Sequence, residues 1–168
     1  MLRYKDVKVV FQEIPNEVTL AISISGCPIR CHDCHSKYLW ESIGEPLGYN
    51  SLMKLINDNK GITCVSFMGG DSNFTWVCAL AFKVRREFPN LKVAWYSGSE
   101  ELPKSFPLQH FDFIKLGPYI KEKGPLNNPN TNQRFYEVCM VNKLNKKYVL
   151  NDITEIFWKD EDKSKTIQ

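Results

Sequence analysis

Three of the six cysteines in this 168-residue chain fall within eight positions, spaced as Cys27-x3-Cys31-x2-Cys34. Three thiolates on so short a segment can converge on one metal centre, and soft sulfur ligands select zinc or iron–sulfur clusters. Pro28 interrupts the run, which predicts a loop rather than a strand or helix. Spacing alone leaves two metal chemistries open. A structural zinc site takes four ligands, and His32 or His35 could complete a Cys3His set. An iron–sulfur cluster usually takes four cysteines, so three local ones would leave one iron of a [4Fe–4S] cluster open to an outside ligand. Cys64, Cys78 and Cys139 stand apart from this group and read as small buried hydrophobes.

The compartment bears on that choice. Arg3, Lys5, Asp6, Lys8 and Glu13 break up the first fifteen residues, so no apolar secretory core is present there. No stretch approaches the roughly 18 apolar residues of a membrane span. The expectation is a cytoplasmic protein with reduced thiols, in which clustered cysteines mean metal or redox chemistry before disulfides. Lys plus Arg number 22 against 19 Asp plus Glu, a net charge of +3 that is too small to imply nucleic acid. Neither nucleic acid nor a membrane is therefore expected as a partner. Hydrophobic residues at 43% and charged residues at 24% exclude a disordered chain.

The elements around the cysteines are legible from periodicity. Residues 18–25 are β-branched and apolar and read as a first buried strand running into Gly26 and the cysteine loop. Asn50-Ser51 could cap a helix in which Leu52, Leu55 and Ile56 share a face. Residues 64–68 form a second strand closed by Gly69-Gly70. Asp71, Ser72 and Asn73 are all caps for the clearest helix, where Phe74, Val77, Ala81, Val84 and Phe88 recur at helical spacing. Residues 91–96 and 111–116 read as strands three and four. Residues 124–134 are turn-rich and form a surface loop, and residues 135–158 have room for two short strands. His110 reads as structural, and Lys143, Lys146 and Lys147 as a solvated face.

Strand, helix, strand at intervals above 20 residues predicts β/α units with right-handed crossovers and a mainly parallel sheet. The fold class expected is α/β, a single domain over residues 1–168 with its core at about 18–136 and a fraying charged tail from about 159. A complete eight-fold barrel needs about 250 residues, so any barrel here is incomplete. In such sheets the reactive loops lie at the carboxyl ends of the strands. The cysteine loop, Gly69-Gly70-Asp71, Tyr96-Ser97-Gly98 and Lys115-Leu116-Gly117-Pro118 then share one rim. Taken alone, Gly69-Gly70-Asp71 reads equally well as an ordinary helix cap, and Tyr96-Ser97-Gly98 as an ordinary turn.

With Cys27-x3-Cys31-x2-Cys34 after the first strand and Gly69-Gly70-Asp71 after the second, the chain resembles the radical S-adenosylmethionine superfamily. The cysteine loop near the N-terminus and Asn132-Gln133-Arg134 near the end narrow the likeness to the glycyl-radical activases of anaerobic ribonucleoside-triphosphate reductases. That resemblance covers about residues 18–136 and implies an incomplete, TIM-like β/α barrel. It implies that Cys27, Cys31 and Cys34 bind three irons of a [4Fe–4S] cluster, the fourth being chelated by S-adenosylmethionine. It further implies that Asp33, Cys34, His35, Gly69, Gly70 and Asp71 lie at the cofactor. The substrate implied is the large anaerobic ribonucleotide reductase subunit, and the electron source a carrier such as flavodoxin. The chain departs from the pattern at Asp33, commonly aromatic or Gly, at Asp71, commonly Glu, and at Ser72, commonly Pro. Another small radical enzyme, a different activase or a deazaguanine-forming synthase, would keep the same features, and a zinc-stapled interaction module would keep the cysteines.

Overall fold

The computed structural model describes residues 1–158; the charged tail expected from Lys159 lies outside the described residues. The chain forms β1 (Arg3–Val10), β2 (Thr19–Ile24), β3 (Glu45–Pro46), α1 (Tyr49–Asp58), β4 (Cys64–Met68), α2 (Phe74–Glu87), β5 (Lys92–Tyr96), β6 (Phe113–Leu116), β7 (Arg134–Asn142) and β8 (Lys147–Asp152). All eight strands join one sheet in the order β3-β1-β2-β4-β5-β6-β7-β8. Among the described residues no helix is long and apolar enough to cross a membrane.

The four central strands β2, β4, β5 and β6 pair in parallel. Both margins are antiparallel, β3-β1-β2 on one side and β6-β7-β8 on the other. The sheet is therefore mixed, where the sequence pattern suggested a mainly parallel one. The connections supply the reason. Parallel neighbours need a crossover, and residues 11–18, 117–133 and 143–146 contain no helix that could make one. The outermost strands β3 and β8 each have one neighbour, so the sheet stays open and does not close into a barrel.

Strand alternation sorts the core into two layers. Leu20, Ile22 and Ile24 of β2, Val65 and Phe67 of β4, Val93 and Trp95 of β5, and Ile114 and Leu116 of β6 pack with Leu52 and Ile56 of α1 and Val77, Leu80, Ala81 and Val84 of α2. The intervening residues Cys64, Ala94, Phe113 and Phe135 form a second cluster on the other face, closed by Ile14 from the β1–β2 connection. Both α-helices thus cover one face, and loops cover the other.

The helix starts differ from expectation in an instructive way. In α1 the Ser51 hydroxyl sits inside the first turn and reaches back to accept the Gly48 amide at 2.8 Å. In α2 it is Asn73 that caps, its Oδ1 accepting the Trp76 amide at 3.1 Å. Asp71 is thereby released from capping.

Asp112 ties three elements together just before β6. Its carboxylate accepts the Val93 amide at 2.7 Å and pairs with the Arg85 guanidinium of α2 at 2.7 Å. Its amide bonds the Val93 carbonyl and its carbonyl takes the Val138 amide, both at 2.8 Å. Asp112→Ala removes the acceptor of a buried amide and should lower unfolding free energy by about 1–3 kcal/mol. Asp112→Asn, which keeps an acceptor there, should lose less; urea denaturation of the two variants side by side checks the order.

Candidate metal centre

The cysteine loop is held shut at its base. The Ser25 hydroxyl donates to the Ile43 carbonyl at 2.6 Å and accepts the Ile43 amide at 3.1 Å. The amides of Gly26 and Cys27 donate to the carbonyls of Glu41 and Leu39 at 3.1 and 3.0 Å. Within the loop the Cys34 amide bonds the Cys31 carbonyl at 3.1 Å, so one turn carries both thiols. The Cys34 Sγ accepts the Ser36 amide at 3.3 Å. Cys27, Cys31 and Cys34 are half-buried, and none forms a disulfide. Neighbouring loops brace this unit. Ile29 fills the space over Gly98, where an added Cβ would stand 2.7 Å from the Ile29 Cγ1. The His35 ring lies 5.1 Å from that of Tyr119, after β6.

Both metal chemistries draw on these thiols and differ in the fourth ligand. A tetrahedral zinc needs one more side chain from the protein; His32 is bonded to Asp33 at 3.1 Å and is almost fully exposed, and His35 packs on Tyr119. The His32 bond also holds the Asp33 carboxyl below its usual range. A [4Fe–4S] cluster gives each cysteine its own iron, so its thiols need not meet at a point. Three free thiols on a braced, half-buried loop fit that group.

The Gly69-Gly70-Asp71 turn follows β4 on the same rim. Gly69 and Gly70 have φ of +97° and +94°, a region that L side chains rarely adopt. At Gly70 a Cβ would also come within 2.6 Å of the Val77 Cγ2, so core packing alone accounts for that glycine. The Gly69 amide bonds the Tyr96 carbonyl and its carbonyl accepts the Trp95 indole N–H, both at 2.8 Å. Freed from capping, Asp71 crosses to the loop after β5. Its carboxylate accepts the Ser97 hydroxyl and, at 3.4 Å, the Gly98 amide.

Lys115, placed by the sequence only within a rim segment, is the main charged residue that pattern reading left without a role. It is 8% exposed. Its Nζ donates to the carbonyls of Gly117 at 2.6 Å and Ser97 at 3.5 Å. Burial pushes its ammonium down to about 8, against the opposing pull of Cys31 and Asp71. The only advance signal was a lysine at an inward position of a strand whose other residues are apolar. Residues 131–134 also fold back to this rim. Asn132 Nδ2 donates to the Pro118 carbonyl at 2.9 Å and Gln133 Nε2 to that of Gly117 at 3.5 Å, while the Asn132 Oδ1 is buried without a partner. Arg134 instead bonds its own turn and lies by Asp152.

The remaining cysteines and His110 stay away from the rim. Cys64 and Cys78 are buried in the two core clusters, and burial pushes the Cys78 thiol up to about 11 and that of Cys64 higher still. Cys139 is half-buried on β7. His110 packs against Phe82 at 5.2 Å, and burial lowers its basicity.

A family model described as a 4Fe-4S single cluster domain matches residues 17–136. No curated protein and no solved structure matches the chain.

Two outcomes follow from the burial pattern. In the native, metal-free protein, iodoacetamide at pH 8 should modify Cys27, Cys31 and Cys34 and spare Cys64 and Cys78, read by peptide mass spectrometry; rapid labelling of Cys64 would contradict its burial. Lys115 supplies a pH signature. Its folded-state pKa lies below its unfolded value, so the folded state loses the proton first and stability rises with pH between about 8 and 10.5. Relative to Lys115→Met, the metal-free wild type should gain about 3 kcal/mol across that window, measured by urea denaturation of both proteins at each pH.

Proposed function

This chain belongs to the 4Fe-4S single cluster domain family, and from that membership we propose that it is a radical S-adenosylmethionine activase. Its proposed substrate is a glycine of a large anaerobic ribonucleoside-triphosphate reductase. The observation that carries the reading is the rim itself. The cysteine loop and the Gly69-Gly70-Asp71 turn stand on the carboxyl ends of adjacent parallel strands, and Asp71 and the buried Lys115 are both bonded to Ser97.

Each residue then has a task. Cys27, Cys31 and Cys34 hold the cluster. When bound there, a [4Fe–4S] cluster would supply one-electron reduction of the S-adenosylmethionine sulfonium, the chemistry that would make a glycine Cα hydrogen removable. Gly69 and Gly70 let a ligand approach bare backbone. Asp71, locked by Ser97 and Gly98, keeps that turn in one conformation. The unpartnered Asn132 Oδ1 offers an acceptor to the amino group of the methionine end. Asp33 and His35 flank the third cysteine ligand, their side chains engaged with His32 and Tyr119. A one-electron carrier of the flavodoxin type reduces the site. On this reading the open sheet is the incomplete barrel of the superfamily, and its unclosed side admits a protein segment.

Anaerobic reconstitution with iron and sulfide tests the proposal. The protein should turn brown, and with dithionite and S-adenosylmethionine it should release 5′-deoxyadenosine. Cys31→Ala should reduce that release at least 100-fold. Addition of the reductase should give a glycyl-radical EPR signal. A colourless protein with one tightly bound zinc, or a brown one that never cleaves S-adenosylmethionine, would sink the reading.

A further inference from the structure

Lys115 has a feature that its hydrogen bonds do not explain. It lies on β6 with its side chain on the sheet face opposite the helices, since its neighbours Ile114 and Leu116 belong to the helix-covered core. It is 8% exposed, and among the described residues no carboxylate comes within ion-pair distance of it. Its three N–H groups meet two neutral carbonyls. A buried charge with no counter-ion costs several kcal/mol, and a methionine would fill the same place at no such cost. Its carbonyl partner Ser97 is followed by Gly98, against which Ile29 of the cysteine loop packs, so the ammonium stands just behind that loop. Asp71 is already engaged with Ser97 and Gly98.

We propose that Lys115 is a positioning residue for the electron step, its buried ammonium being the fixed counter-charge that sets the reduction potential of the cluster on Cys27, Cys31 and Cys34. A four-iron core of charge 2+ with three thiolates carries a net charge of −1, which becomes −2 on gaining one electron. A fixed positive charge nearby favours the more negative state, so it raises the potential, as local charge does for such clusters generally. Low exposure keeps the interaction from being screened. The ammonium does not ligate iron and takes no part in bond breaking. The inference rests on the cysteine loop being the cluster site and is independent of what the electron is used for.

The experiment is an EPR-monitored potentiometric titration of the reconstituted full-length protein without S-adenosylmethionine, at pH 7 and matched iron and sulfide content. Lys115→Met should lower the reduction equilibrium constant at least tenfold, which for one electron is about 59 mV. Lys115→Gln, which keeps hydrogen bonding without charge, should fall equally far, and Lys115→Arg should stay near wild type. Lys83→Met, at a half-buried lysine on α2 paired with Glu87, should leave the potential unchanged. A wild-type potential in Lys115→Met or Lys115→Gln overturns the inference, as does an Arg variant as low as Met. A wild-type chain that binds no cluster overturns both it and the proposed activity. A cluster with the expected shifts but no 5′-deoxyadenosine overturns only the activity.

Discussion

Ser97 is the joint on which the rim depends. It is 1% exposed, and every polar group it carries is used. The hydroxyl donates to Asp71 after β4 and accepts the Ser99 amide at 3.0 Å. Its amide bonds the Lys115 carbonyl at 2.8 Å, and its own carbonyl accepts the Lys115 ammonium. One small residue thereby ties the turn after β4 and strand β6 to the loop that follows β5. Gly98, next in sequence, is bare so that Ile29 of the cysteine loop can lie over it. The rim is therefore organised before any cofactor arrives.

That organisation is expensive in a place where it need not be. The helix-covered face of the sheet is apolar throughout, while the loop-covered face carries buried Ser66, Lys115 and Gln133 beside its aromatic cluster. Buried polar groups of this kind stabilise only when fully paired. Not all are: the Lys115 ammonium lacks an anion and the Asn132 Oδ1 lacks a donor at the rim, while Thr19 Oγ1, Trp40 Nε1 and the Arg85 Nε of α2 are unpartnered elsewhere.

Most of what positions the site was written in hydrophobic pattern. Residues 64–68 run strand-like between turn residues, and β4 occupies them without a shift. The cysteine spacing announced a metal loop because few other uses exist for three thiols in eight positions. β1 escaped notice for a physical reason: no fully buried residue lies within it, and a bulge between Tyr4 and Asp6 breaks its alternation. Asp71 could not be separated from Asn73 as the cap of α2, because both have the right chemistry and only the path of the chain decides. Lys115 was hidden by the same limit. A lysine in an apolar strand looks like an edge residue until its neighbours are known, and those neighbours, Ser97 and Gly117, belong to contacts across the rim.

The open sheet bears on what can reach the rim. Among the described residues, the face away from the helices has no α-helix of its own. Beside the second core cluster, a groove of about 640 Å³ runs between the β1–β2 connection, residues 125–127 and the 3-10 turn at Thr154–Phe157. Tyr96, which immediately precedes Ser97, is among its lining residues. Its walls include exposed Phe11, with Leu126 and Phe157 opposite. A free metabolite beside a radical requires a closed cavity that excludes water, and an open groove with apolar walls does not enclose one. A polypeptide segment laid along the groove would cover Phe11. On the proposed reading, the gap left by the unclosed sheet is the part of the active site that the substrate protein supplies.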